Sequence, residues 1–112
     1  MNILIGSVML AVALENNPAA AAVSKKLPLT VEMAELNGNE KYVFLPFSLP
    51  VNPVPVGHIK AGDVMLFGDD CLVIFYQNFE TSYSYTKIGR IENAERLFEI
   101  LKRGKISVTF AK

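Results

Sequence analysis

The residues with the richest side-chain chemistry lie in one stretch, residues 76–91, which reads YQNFETSYSYTKIGRI. It holds three tyrosines, four hydroxyl side chains and two basic residues around a single glycine. Because side chains alternate along a strand, Tyr83 and Tyr85 share one face, while Ser84 and Thr86 share the other. This pattern predicts a tyrosine face that lines a pocket and a hydroxyl face that meets water. The alternative is a half-buried strand whose tyrosines only pack in the core.

Other reactive side chains have simpler structural interpretations. His58 and Asp63 could join a serine in a hydrolytic triad, but no serine has the glycine-flanked sequence of a nucleophile elbow. Cys71 begins an apolar run, which favours a packed cysteine over a nucleophile. Asp69 and Asp70 follow a glycine, as in a tight turn, and no further metal ligands stand near them. We therefore expect no catalytic residues, no metal and no cofactor.

Composition limits the classes of protein and of partner. The 112 residues are the size of a single domain, residues 1–112, and about half of them are apolar. Eleven basic residues balance eleven acidic ones, so the net charge offers no footprint for nucleic acid or for an anionic membrane. A lone cysteine cannot form an internal disulfide, which predicts a reducing compartment, the cytoplasm.

The apolar N-terminus resembles an export signal only in its hydrophobicity. No basic residue precedes Lys25, whereas a signal peptide begins with positive charge. Gly6 and Ser7 divide the run, and the second half alternates like a strand. We expect Met1–Leu14 to stay in the mature protein as the first hairpin.

Short strands dominate the rest of the chain. Alternating or apolar runs at 29–36, 63–67, 71–76, 85–91 and 105–110 predict strands, with turns at residues 37–38 and 68–70. The run at 71–76 is apolar at every position and therefore predicts a strand that is covered on both sides. Two helices are predicted, one capped by Asn17 before Pro18 and one over residues 93–102 capped by Asn93. Three prolines in residues 50–57 predict an exposed loop without a regular ladder.

Together these elements predict a mainly β fold, a closed antiparallel β-barrel with two α-helices covering its ends. The segment 85–110 resembles the C-terminal third of cyclophilins, which has a strand ending in a valine/phenylalanine-Gly-Lys-Val type sequence, then a helix, then a closing strand of the Lys-Ile-x-Ile type. The counterparts in this chain are Ile88-Gly89-Arg90-Ile91, Asn93–Lys102 and Lys105–Phe110. With residues 36–50 and 61–76, it is similar to a family of small bacterial cyclophilin-like proteins of unassigned function. This resemblance runs through nearly the whole chain and implies the same barrel.

The departures from cyclophilins limit what the resemblance implies about activity. Cyclophilins isomerise prolyl bonds with an arginine in a Phe-His-Arg strand ahead of a Phe-Met-x-Gln segment, and this chain has neither. Four residues before the strand glycine, cyclophilins have a pocket histidine, and here that position is Tyr85. The resemblance thus implies a retained pocket without the standard catalytic group.

We predict a binding module that holds a peptide segment or a small molecule, without catalysis. The predicted ligand-binding residues are an aromatic face beside one cation: Phe47, Phe79, Tyr83, Tyr85 and Arg90. One alternative is a prolyl isomerase with a non-standard active site. Another is an accessory barrel of a larger complex, because cyclophilin-like domains occur in oxoprolinase- and allophanate-hydrolase-type assemblies.

Overall fold

The computed structural model describes residues 1–112. Its strands are β1 (Asn2–Ile5), β2 (Val8–Leu14), β3 (Leu29–Leu36), β4 (Glu40–Phe44), β5 (Val54–Pro55), β6 (His58–Ile59), β7 (Asp63–Phe67), β8 (Cys71–Phe75), β9 (Phe79–Glu80), β10 (Ser84–Ile91) and β11 (Ile106–Ala111). Its helices are α1 (Pro18–Lys25) and α2 (Leu97–Leu101), and a 3₁₀ turn over Ala94–Arg96 precedes α2.

Eight antiparallel strands form a closed barrel, as predicted. Their order is β2, β1, β11, β3, β4, β8, β7 and β10, and β10 pairs back with β2 to close the ring. The predicted N-terminal hairpin is present, because β1 and β2 pair across the turn at residues 6–7. Asn37 and Gly38 both have positive φ, which is the conformation of the tight turn that joins β3 to β4.

The barrel interior and the two helices share one hydrophobic core. Leu97 and Leu101 of α2 and Val23 of α1 are buried in it. The Asn17 side chain caps α1 as predicted, accepting a hydrogen bond from the Ala20 N–H at 2.8 Å. Because α1 follows β2, α2 follows β10 and these strands are antiparallel, the helices lie at opposite ends of the barrel.

A second hydrophobic cluster lies on the outside of the barrel wall. Strand β8 is buried at every position: Leu72 and Ile74 face the interior, whereas Val73 and Phe75 face the second cluster. This outer cluster consists of Ile59, Met65, Cys71, Val73, Phe75 and Tyr85. The short ribbon formed by β6 and β9 covers part of it. The predicted two-sided burial of residues 71–76 is therefore confirmed.

Two local predictions were wrong. Asn93 has a left-handed backbone, with φ 55°, and its side chain caps nothing, so the second helix is a 3₁₀ turn followed by the five residues of α2. The loop over residues 50–57 is exposed as predicted, but Val54 and Pro55 pair with Tyr85 and Ser84 as strand β5. Proline can occupy this position because β5 lies at a sheet edge.

One buried ammonium group fastens the barrel to the segment after α2. Lys41 of β4 is fully buried, and its Nζ donates to Glu35 Oε1 at 2.8 Å. The same Nζ donates to the carbonyls of Arg103 and Gly104. The Tyr76 hydroxyl also donates to Glu35 Oε1, at 2.6 Å. All three donors of Lys41 are thus used, which is what keeps a buried charge tolerable.

Barrel closure requires a glycine at position 89. Strand β10 pairs with β2 only over residues 89–91. On the opposite edge of β10, its pairing with β7 shifts register between Lys87 and Gly89. A Cβ on Gly89 would lie 2.7 Å from the Ala13 carbonyl oxygen and 3.0 Å from Val12 Cγ1. The two backbones therefore approach too closely for any side chain.

We predict that Gly89→Ala lowers the free energy of unfolding by about 2 kcal/mol, because β2 and β10 must separate to admit the methyl group. Denaturant unfolding measures this directly. Gly104→Ala is the matched control, since its added Cβ would meet no heavy atom within 4 Å, and we expect a change within about 0.5 kcal/mol. Equal effects of the two substitutions would contradict the role of Gly89 in closure.

The Glu35 carboxylate should make stability depend on pH. Burial alone would raise its pKa, but hydrogen bonds from Lys41, Tyr76 and the Gly38 N–H hold the pKa below the ordinary 4.5. Its contribution is therefore fully present above about pH 4.5 and is lost as the pH falls through the lowered folded-state pKa. We expect wild type to exceed Glu35→Gln in unfolding free energy at pH 7, by a margin that shrinks below pH 4.5. A margin that is the same at pH 7 and pH 3 would contradict this assignment.

Candidate functional site

A groove of about 460 Å³ opens on the outer wall of the barrel, beside the ribbon of β6 and β9. It runs along β4, from the turn at Asn37 to Phe44. Its lining residues are Leu36, Asn37, Asn39, Glu40, Tyr42, Phe44, Phe67, Cys71, Val73, Phe79, Thr81, Tyr83 and Tyr85. Six of these are aromatic, so the groove is a predominantly apolar site of the size that binds small organic groups.

The strand register explains why these side chains face the same way. Tyr42 lies opposite Val73, and Phe44 lies opposite Cys71, in the antiparallel pair of β4 and β8. Directly paired residues project from the same face of a sheet. Because Val73 and Cys71 belong to the outer cluster, the alternate residues of β4 also point outward. The groove is therefore built on the outer face of the central strands.

The aromatic rings of the groove contact one another edge to face or tilted. Phe67 lies 5.8 Å from Tyr83 and 5.5 Å from Tyr85, measured between ring centroids. Tyr85 also meets Phe75 at 5.5 Å, and Phe75 meets Phe79 at 5.6 Å. These separations are those of favourable aromatic pairs. The chain of contacts ties the exposed rim ring of Tyr83 to the buried outer cluster.

Three aromatic residues at the rim of the groove are largely exposed. Phe44 is 66% exposed, Tyr83 is 62% exposed and Phe67 is 45% exposed. An isolated exposed apolar residue is ordinary, but several around one concavity mark a binding surface.

Burial suppresses ionisation on the groove floor. Burial, together with the charges of Asp70 and Glu40, raises the pKa of Cys71 to about 11, so the residue is a neutral thiol at neutral pH. Burial raises the pKa of Tyr85, and the charge of Glu40 raises it further. Burial and repulsion from Glu35 raise the pKa of the Glu40 carboxyl. The floor thus offers neutral hydroxyl and thiol groups and a single acidic group.

Three of the five predicted ligand-binding residues lie together in this groove: Phe79, Tyr83 and Tyr85. Phe47 does not line it. The segment after β4 turns over the barrel end beside α1, where Leu45 and Leu49 are buried, so Phe47 packs on the inner core with Lys26 Nζ 4.7 Å from its ring centroid.

Arg90 also lies outside the groove. It is five residues beyond Tyr85 on β10, a distance of roughly 16 Å along an extended strand. Its guanidinium donates to Asp63 Oδ1 at 2.9 Å across the β7–β10 pair. The predicted site therefore combined residues that lie at two separate places on β10.

The hydroxyl face of β10 is not exposed throughout, although the sequence predicted that it would be. Ser84 is exposed, but Thr86 is buried, and its Oγ1 accepts a hydrogen bond from the Asn52 N–H at 3.0 Å. The loop over residues 50–57 covers this position, so the face does not meet water throughout.

Sequence reasoning missed the groove residues of β4. Glu40, Tyr42 and Phe44 alternate directly after the Asn37-Gly38 turn, which is the pattern of the second strand of a hairpin. The exposed Phe67 at the end of β7 carried no comparable signal, because an apolar strand end is usually buried.

The remaining candidate chemistry has structural partners. Asp69 and Asp70 occupy the turn before β8, and their carbonyls accept hydrogen bonds from the Leu49 and Leu45 N–H groups. His58 is exposed, with Nδ1 3.6 Å from Glu80 Oε1. No group of three His, Cys, Asp or Glu side chains lies close enough together to hold a metal ion. No helix combines the length and apolar character that crossing a bilayer requires.

A family model described as "Cyclophilin-like family" matches residues 3–111, nearly the whole chain. The resemblance seen in the sequence is therefore confirmed. A search of curated proteins found no significant match.

Tyr85 is buried whereas Tyr83 is exposed, and this difference changes the expected effects of their substitution. As a ligand-binding residue at the rim, Tyr85 would contribute more to binding than to stability, but Tyr85 is only 5% exposed and belongs to the outer cluster. We expect Tyr85→Ala to lower the free energy of unfolding by about 3 kcal/mol, as a core truncation does. Tyr83→Ala should change it by about 0.5 kcal/mol or less. Denaturant melts of both variants measure the split, and similar losses would show that the Tyr83 ring is structural.

Proposed function

We propose that this chain, which belongs to the cyclophilin-like family, is a binding protein that holds a peptide segment or a small molecule in the outer-wall groove, without catalysis. The observation that carries the proposal is the convergence of six aromatic side chains on one groove, with Phe44, Phe67 and Tyr83 largely exposed around it.

A ligand in this groove would gain most of its affinity from burying aromatic surface. Each aromatic side chain can contribute roughly 150–250 Å² of contact surface, and the contacts of Phe67 with Tyr83 and Tyr85 restrict the ring motion that binding would otherwise have to stop. Polar groups at the rim, including the side chains of Asn37 and Thr81, can orient the ligand.

The prolyl-isomerase alternative finds no support in the groove. Polarising a proline carbonyl calls for a strong donor such as a guanidinium, and no lysine or arginine is among the lining residues. Tyr85, which the resemblance aligns with the cyclophilin pocket histidine, lines the groove, and this supports binding there without the cyclophilin catalytic groups. A coupled proteolysis assay on a prolyl peptide tests this alternative.

We also propose a cytoplasmic location, because the single cysteine, Cys71, is a free and buried thiol. The exposed Val51 and Val54 leave the loop over residues 50–57 available to a protein partner, and co-purification from native lysate tests that separate idea.

Binding should depend on Tyr83. Screening aromatic fragments and X-Pro dipeptides by NMR against labelled protein should shift the resonances of groove residues such as Val73 and Tyr42. We expect Tyr83→Ala to weaken the best of these probes about tenfold, because the ring contributes contact area at the rim.

Met9→Ala is the control, since Met9 is 63% exposed, like Tyr83, but lies on β2 and does not line the groove. It should leave the affinity unchanged. Shifts confined to the surface around Arg90, or equal affinities for the two variants, would count against the proposed function.

A further inference from the structure

The groove contains one buried acid that has no partner in the protein. Glu40 is only 8% exposed, yet its carboxylate makes no hydrogen bond and no ion pair within the chain. Glu40 lies opposite Phe75 in the β4–β8 pair, so its side chain projects to the outer face, where the groove lies. Glu40 lines the groove, and its carboxylate oxygens, unlike Asn39 Oδ1, are not fully enclosed by the protein, so they are accessible to a bound ligand.

The adjacent residue shows how the fold treats a buried charge that it satisfies. Lys41 projects to the opposite face of β4 and uses all three donors on Glu35 and on the carbonyls of Arg103 and Gly104. Lys41 is therefore not available to Glu40. A buried carboxylate without a compensating cation or donor is costly, and proteins seldom retain one without a use for it.

The surroundings of Glu40 favour one kind of ligand. Tyr42, Phe67 and Tyr85 line the same groove, and aromatic faces carry negative potential that attracts cations. Glu40, Cys71 and Tyr85 all line this groove. With no basic side chain in the lining, an anionic ligand would meet the charge of Glu40 without a compensating cation, whereas a cation would meet aromatic faces and a carboxylate.

We propose that the groove recognises an alkylammonium group, such as that of a lysine side chain or of a quaternary amine, which Glu40 pairs with while aromatic rings enclose its methyl or methylene groups. This inference rests on the proposed function and specifies the class of ligand that the groove binds.

The test compares choline with 3,3-dimethylbutan-1-ol, which has the same shape but no charge. NMR titration of the wild-type protein should show choline binding at least about fivefold more tightly, with shifts at groove residues. Equal affinities of the two probes would overturn the alkylammonium inference and leave the proposed groove function standing. If neither probe shifts groove resonances at 50 mM, roughly the weakest affinity that such a contact would give, the alkylammonium inference is overturned, whereas the proposed groove function is decided by the screen of aromatic fragments and dipeptides.

Glu40→Gln separates the charge from the shape of the side chain. We expect it to remove the preference for choline and to leave the affinity for the neutral alcohol unchanged. The variant should also melt about 3 °C higher than wild type, because it removes an unpaired buried charge. Glu95→Gln, which alters an exposed acid remote from the groove by the same charge, should preserve the preference. A preference that survives Glu40→Gln would overturn the role of Glu40.

A peptide containing trimethyllysine distinguishes the source of the cation. Tighter binding of the peptide than of choline would support a protein ligand, and tighter binding of choline would support a small molecule. Both results support an alkylammonium site.

Discussion

The barrel depends on the close approach of β2 and β10 at Gly89. Only three residue pairs join these strands, and the Ala13 carbonyl occupies the space that a side chain at position 89 would need. Closure removes both sheet edges and encloses the inner core. It also fixes the path of β10, whose N-terminal half carries Tyr85 onto the outer wall. The site is thus held by a constraint four residues away from it.

A second consequence of closure is that the wall has two apolar faces. The inner face fills the barrel, while the outer face of β7, β8 and β10 carries its own cluster, which the short ribbon of β6 and β9 covers in part. A sheet face that is apolar but incompletely covered leaves aromatic side chains at the boundary between packing and solvent. Phe44, Phe67 and Tyr83 occupy that boundary, and the groove lies between them.

Periodicity and turn chemistry were enough to predict the barrel, since the hairpin at Asn37-Gly38 and the doubly buried run at 71–76 are local signals. The site was only partly predictable. Alternation correctly indicated that Tyr83 and Tyr85 lie on the same face of the barrel wall. It could not show which other strands contribute side chains to that face. Phe44 and Phe67 come from β4 and β7, and their neighbours depend on strand order and register. Arg90 lies outside the groove because five extended residues carry it roughly 16 Å along β10 from Tyr85.

The two charged residues at the start of β4, Glu40 and Lys41, have different roles. Alternation sends Lys41 to the face where Glu35 and two carbonyls satisfy it, so it stabilises the fold. The same alternation sends Glu40 to the groove, where nothing in the chain satisfies it. Burial raises the pKa of Glu40, and repulsion from Glu35 raises it further, so the carboxylate that secures Lys41 adds to the cost of ionising Glu40. A cation in the groove would offset the cost of burying this carboxylate and its repulsion by Glu35, so the charge that the fold leaves unpaired is the one suited to bind.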